Sequence, residues 1–256
     1  MSEIILTESK DRVLRVQLNR PEKKNALNLA MYAGIAKAIT EGEEDRDIRV
    51  ILIHGQKDFF SAGNDIKDFQ GIASADGTNS IRDFYNALTT SKKPLIAAVN
   101  GYAIGVAMTM LLHFDLVYAG QSATFRAPFV DLALCPDMGS TYILPRAIGY
   151  HRAVEIFFFC DSLTAEEAYK IGYINKVFPD DAVLEESLAL AQRLAEKPPA
   201  SISVTKKLLK KYTAEPINQA NIDEFIDMVK RIGSREAREV FKTFFERRKP
   251  DFSKFK

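Results

Sequence analysis

Three short apolar runs constrain this chain more than any other feature: Val50-Ile51-Leu52-Ile53, Pro94-Leu95-Ile96-Ala97-Ala98-Val99 and Asp115-Leu116-Val117-Tyr118-Ala119. Each is continuous rather than alternating, which is the pattern of a strand covered on both faces. All three end alike, in His54-Gly55, Asn100-Gly101 and Ala119-Gly120, although no fixed repeat period separates them. Helical stretches lie between the runs, so the predicted class is α/β.

The flanking segments fill in the architecture. Ile4-Ile5-Leu6 and Val13–Leu18 bracket a polar Glu-Ser-Lys-Asp stretch, which predicts a hairpin with its turn there. From Asn28 to Glu44 the residues Leu29, Met31, Tyr32, Ile35, Ala36 and Ile39 recur at helical spacing. After Pro179 the pattern predicts helices over 181–197, 200–213 and 217–247 and no further strand. The Pro198-Pro199 pair marks a boundary, giving a core over 1–195 and a helical extension over 196–256. That extension carries Phe225, Ile226, Met228, Val229, Ile232, Val240, Phe241, Phe244 and Phe245, more apolar surface than it can bury alone. Docking on the core or on another subunit is expected.

Charge narrows the partners. With 35 Lys plus Arg against 34 Asp plus Glu among 256 residues, no global field points to nucleic acid or to an anionic membrane, so an anionic ligand must be met locally. No apolar run is long and charge-free enough to span a bilayer, and the start, with Glu3 and no long apolar segment, is not a secretory signal. Cys135 and Cys160 are too few for a disulfide framework and are read as free thiols, which fits a reducing, cytoplasmic setting. His54, His113 and His151 show no ligand spacing, so no metal site is predicted.

Two segments read as built around backbone. Ser61-Ala62-Gly63-Asn64-Asp65-Ile66 follows a strand, and Asn100-Gly101-Tyr102-Ala103-Ile104-Gly105-Val106-Ala107-Met108 leads into a helix N-terminus, where free N–H groups favour negative charge. Two such N–H groups aimed at one point make an oxyanion hole. A third segment, LALCPDMGSTY over 132–142, places one carboxylate, Asp137, inside an apolar run. A buried carboxylate is capped, paired or used. Taken alone, Pro-Asp before small residues reads as a helix cap for Met138 or Gly139.

Together these segments, with Asn19-Arg20-Pro21, Asn25-Ala26-Leu27-Asn28, Phe114–Ala119, Ala123-Thr124-Phe125 and Leu144-Pro145-Arg146, resemble the enoyl-CoA hydratase/isomerase family, the crotonase superfamily, over nearly the whole chain. The resemblance implies a ββα spiral core with a C-terminal helical trimerisation region, a homotrimer or hexamer, acyl-CoA thioesters as substrates and no separate cofactor. It also implies that the amides of Asn64 and Val106 hold the thioester oxygen as it becomes an enolate. The positions that hold two glutamates in the hydratases are Thr109 and Phe129 here. A hydroxyl and a phenyl ring do not activate and deliver water as paired carboxylates do. Asp137 lies eight residues beyond Phe129, and the resemblance implies that this is where some isomerases of the family place their acidic base. The expected activity is therefore a 3-enoyl to 2-enoyl double-bond shift with Asp137 as base.

Hydratase-like, hydrolytic and dehalogenase-like chemistry, or a catalytically silent CoA-binding subunit, are the alternatives. For the CoA moiety the resemblance points to Lys23 or Lys24 beside Ala26, to Ala62 in the oxyanion segment, to Lys67, and to Arg247 or Lys249 from a C-terminal helix. Phe244 is a candidate border of the acyl tunnel. Asp131 reads as an exposed loop carboxylate, and Asp65 as a structural partner of the oxyanion loop.

Overall fold

The chain opens with an antiparallel hairpin of β1 (Ile5–Lys10) and β2 (Val13–Leu18) in the computed structural model, which describes residues 3–65, 75–246 and 248–255, less the side chains of 75–78, 244 and 245. The loop is only Asp11-Arg12, at φ 50° and 64°. Two positive φ angles give a turn whose twist matches its strands. The turn expected over Glu8–Asp11 is thus corrected: Glu8, Ser9 and Lys10 pair with Arg15, Leu14 and Val13. β1 is an edge strand, where polar residues are tolerated.

β2 continues in parallel into β3 (Val50–His54), followed across the sheet by β5 (Leu95–Val99), β7 (Leu116–Gly120) and β10 (Lys176–Phe178). Both faces are covered. Leu95, Ala97, Val99, Ile51 and Ile53 point into the main core, while Ile96, Ala98, Val50, Leu52 and Tyr118 join a second core under α7 (Val183–Ala195). Alternate residues feed two apolar layers, which is why the runs are continuous in sequence.

Each of the three central strands hands the chain to a smaller sheet, of order β4-β6-β8-β9, made by Phe59–Ser61, Tyr102–Ile104, Thr124–Arg126 and Leu163–Thr164. The glycine that ends each apolar run sits at or beside this crossing. Gly101 shows the reason: at φ 57°, an added Cβ would meet the Asp58 carbonyl oxygen at 1.8 Å. This stepwise passage between two sheets is the spiral expected of the family.

Around the sheets run α1 (Leu29–Glu44), α2 (Ala75–Thr90), α3 (Val106–Thr109), α4 (Ser140–Ile148), α5 (Tyr150–Phe159) and α6 (Ala165–Lys170). Asn28 caps α1, its side chain accepting the Met31 N–H at 2.9 Å. Beyond α7 the chain forms α8 (Pro199–Lys210), α9 (Ala214–Ile232) and α10 (Arg235–Glu246). The single helix expected over 217–247 is broken at Gly233-Ser234, where the Ser234 hydroxyl accepts the Ala237 N–H at 3.1 Å and starts α10. Met228, Ala237 and Val240 belong to the main core, and buried Lys206 of α8 pairs with Asp115 at 2.6 Å, so these helices dock on the chain's own core. Among the described residues, no helix is long and apolar enough to cross a membrane.

Candidate active site

The first wall of the site is a stretch of backbone fixed from behind. Asn25, fully buried, donates to the Phe60 carbonyl at 3.0 Å, and the Ser61 hydroxyl donates to the Asn25 carbonyl at 2.7 Å. Leu27 bridges to Asn64 through two bonds, Leu27 N–H to Gly63 O at 2.7 Å and Asp65 N–H to Leu27 O at 2.9 Å. That pattern leaves the Asn64 N–H outside the ladder. Val106 is the first residue of α3, so its N–H has no intrahelical acceptor. Neither amide donates to an acceptor among the described residues.

Gly63 brings the two segments together. At φ 85°, a Cβ on Gly63 would lie 2.4 Å from the Ile104 carbonyl oxygen. Asp65 pairs with Arg20 at 2.8 Å, and Arg20 also donates to the Ala26 carbonyl at 2.9 Å, so the Asp65 carboxylate ties this loop down through Arg20. The Tyr32 hydroxyl donates a short hydrogen bond to Asn64 Oδ1. Burial, and then the charge of Asp137, raise the Tyr32 phenol well above its ordinary value and keep it a donor.

The second wall is the loop that presents Asp137. Ala133 and Met138 sit at φ 55° and 62°, conformations that persist only where neighbours impose them. Arg231 of α9 donates to the Ala133 carbonyl at 3.0 Å. Buried His113 bonds the Met138 carbonyl at 2.6 Å through Nε2, and burial lowers its pKa to about 4. Thr109 donates to Asp137 Oδ1 at 2.5 Å. Burial pushes the Asp137 carboxyl up to about 7, against the pull of the Thr109 hydroxyl and its own N–H, and the nearby Glu224 charge adds to the rise.

Asp137 does not cap α4. The cap residue is Gly139, which offers no side chain, and the free amides are met from across the fold by Glu224 of α9. Its carboxylate accepts the N–H of Gly139 at 2.6 Å, the N–H of Thr141 at 2.8 Å and the Thr141 hydroxyl at 2.5 Å. Three donors and a helix N-terminus hold this carboxylate in place, and burial raises its pKa.

Asn64, Val106 and Asp137 line one cavity of about 380 Å³ together with Tyr32, Tyr85 and Glu224. α9 supplies an apolar side through Phe225, Met228, Val229 and Ile232. Thr109 and Phe129 are buried and do not line this cavity, and Thr109 bonds Asp137. Lys23 and Lys24 are exposed on the turn after Pro21, with Ala26 half-buried beside them, and the Ala62 N–H bonds the Lys24 carbonyl at 3.0 Å. None of these four residues lines the cavity. Lys249 is exposed near the C-terminus, whereas Lys67, Arg247 and the Phe244 side chain lie outside the described residues. Asp131 pairs with Arg126 at 2.8 Å on the surface, and both cysteines are free thiols.

Glu224 and Arg231 are absent from the sequence reading. Glu224 occupies the inward stripe of α9, four residues before the buried Met228, and an acid in that register is the signal that marks it.

Residues 8–255 match the family model described as Enoyl-CoA hydratase/isomerase. The chain is 32% identical over 253 residues to enoyl-CoA delta isomerase 3, peroxisomal, of Mus musculus, covering 96% of this chain and 80% of that protein. It is 34% identical to 2,3-dehydroadipyl-CoA hydratase of Escherichia coli (strain K12), covering 98% and 99% of the two chains. The crystal structure of an enoyl-CoA hydratase/isomerase from Pseudoalteromonas atlantica T6c superposes with a TM-score of 0.94 at 37% identity, covering 98% of this chain and 100% of the other. With the two-sheet spiral and the cavity built as described, these matches show that the chain belongs to the enoyl-CoA hydratase/isomerase family, the crotonase superfamily.

Proposed function

We propose that this chain is an enoyl-CoA isomerase that moves a 3-enoyl double bond to the 2-position. The observation that carries the reading is a half-buried carboxylate, Asp137, lining one cavity with Asn64 and Val106, while the cavity's other carboxylate, Glu224, is held by the Gly139 and Thr141 donors. The relatives include both delta isomerases and hydratases, so the choice between them rests on the acids. At the two positions where the hydratases hold glutamate stand Thr109 and Phe129, and neither lines the cavity.

The chemistry follows from these groups. With the thioester oxygen between the two amides, Asp137 takes a proton from C2, and the electrons of the C–H bond move onto that oxygen as a dienolate. The amides stabilise the charge as it forms. The same carboxyl then returns the proton to C4, the double bond settles between C2 and C3, and the carboxylate is restored. Thr109 holds the base in line, and the apolar side of α9 keeps water from the dienolate. Lys23, Lys24 and Ala62, on the surface turn and the loop behind Asn64, are our candidates for gripping the CoA portion. Exposed Val204, Leu208, Leu209 and Tyr212 on and beside α8 support assembly as a homotrimer or a multiple of it.

The test is the pH profile of 3-enoyl-CoA isomerisation. A base acts only when deprotonated, and Asp137 is raised to about 7, so kcat/KM falls as pH drops through that value, far above an ordinary carboxylate. A rate that stays flat down to pH about 5 contradicts Asp137 as the base.

A further inference from the structure

Beside the site lies a second cavity, of about 590 Å³, and its chemistry is different. The two share Tyr85, Asn86 and Asn218 as a partition. Beyond the partition the described walls carry Lys210 and Arg146, the hydroxyls of Thr89, Thr90 and Thr213, and no acidic side chain. Lys210 is poorly matched. Among the described residues the one carboxylate it pairs with, that of Asp115, lies 4.0 Å away and already pairs with Lys206 at 2.6 Å, so two ammonium groups share one charge. Its other contact is a long one, 3.4 Å to the His113 carbonyl. Burial and the neighbouring Lys206 lower the Lys210 pKa to about 8, so the cation is held at a cost that an anion in the cavity would offset.

The position of this charge relative to the reacting centre is set by short links. Lys210 touches the His113 carbonyl, and the His113 ring bonds the Met138 carbonyl at 2.6 Å, one residue from Asp137. A single histidine residue therefore separates the ammonium from the loop that carries the base. Tyr85 lines both cavities, so an acyl chain that has its thioester at Asn64 and Val106 and passes Tyr85 enters the cavity that Lys210 lines.

We infer that the second cavity receives the far end of the acyl chain, and that this end is an anion, a terminal carboxylate paired with Lys210 and flanked by Arg146 at the rim. The substrate class is then a dicarboxylic acyl chain carried as a mono-CoA thioester. The inference rests on the acyl-CoA reading and deepens it. Because a phosphate of the coenzyme presents similar chemistry, the test separates the two sources.

Calorimetry with saturated thioesters reads binding without turnover, and the two ligands are hexanoyl-CoA and the mono-CoA thioester of hexanedioic acid. The full-length protein binds the carboxylated ligand about tenfold tighter or better, Lys210→Met brings the ratio of dissociation constants to about one, and Lys210→Arg keeps most of it. Lys210→Met leaves Asp115 paired with Lys206, so the variant folds. Equal binding of the two ligands by the unmodified protein overturns the anion site and leaves the isomerase reading standing. Equal weakening of both ligands by Lys210→Met also overturns it, and dephospho-CoA thioesters then show whether a coenzyme phosphate sits on Lys210. Binding of neither ligand overturns this inference and the acyl-CoA reading together.

Discussion

Asp137→Asn lowers isomerase turnover by roughly 10²–10⁴-fold while the protein stays folded and keeps its acyl-CoA affinity. The substitution preserves shape and an oxygen that accepts from Thr109, and removes the lone pair that takes the C2 proton in the proposed mechanism. Stability supplies an independent check with a definite sign. A carboxyl raised to about 7 in the fold, against an ordinary value near 4, binds more protons folded than unfolded between those pH values. Its contribution therefore falls as pH rises through that window, and at pH 8 the charged, half-buried group works against folding. Replacing it with a neutral amide leaves the melting temperature at pH 8 unchanged or raised. The helix-end task belongs to Glu224, which meets the Gly139 and Thr141 amides. Turnover of Asp137→Asn within a few-fold of the unmodified protein contradicts the assignment.

Gly63→Ala is expected to cost roughly 10²–10³-fold in turnover, the value of one misplaced donor in an oxyanion hole. The new methyl would sit 2.4 Å from the Ile104 carbonyl oxygen, and a φ of 85° is one that residues with a Cβ rarely adopt. The expected relief moves Ser61–Asp65 away from Tyr102–Val106, which separates the Asn64 and Val106 amides of the proposed oxyanion hole. Both segments are anchored elsewhere, by Asn25 and Ser61 on one side and by Gly105 N–H to the Arg126 carbonyl at 2.8 Å on the other. The damage is therefore local: strain of about 1–3 kcal/mol, seen as a modest fall in melting temperature, beside a much larger loss of rate. Circular dichroism melts and single-turnover kinetics on the same preparation measure the two. A large loss of stability with little loss of rate contradicts the paired-amide account.

What could be read in the sequence and what could not divide along a physical line. The β3, β5 and β7 runs are legible because burial on both faces writes itself into consecutive residues. α1 is legible because its buried stripe keeps a helical period and Asn28 is a good cap. The two backbone segments that meet at Gly63 were legible through their small residues. The Asp11-Arg12 loop was not, since neither residue advertises a positive φ as glycine does. The break at Gly233-Ser234 was hidden by an apolar pattern that continues on both sides of it. Glu224 and Arg231 could not be assigned at all, because their roles depend on bonds across 85 and 98 residues of chain to Gly139 and Ala133. Asp137 shows both sides. Its position announced a carboxylate needing a partner, but whether that partner was a helix end or Thr109 was decided by tertiary contact.

The central claim is that one carboxylate acting as base, Asp137, and two amides make an isomerase and not a hydratase, and one pair of initial rates tests it. The purified protein is given 3-hexenoyl-CoA and crotonyl-CoA in turn, with conjugated thioester followed by ultraviolet absorbance. The account predicts rapid appearance of 2-enoyl thioester from the first and much slower loss of it from the second, because the second carboxylate of the cavity, Glu224, is tied to the Gly139 and Thr141 donors and Thr109 and Phe129 carry no carboxylate. Hydration of crotonyl-CoA as fast as isomerisation of 3-hexenoyl-CoA contradicts it.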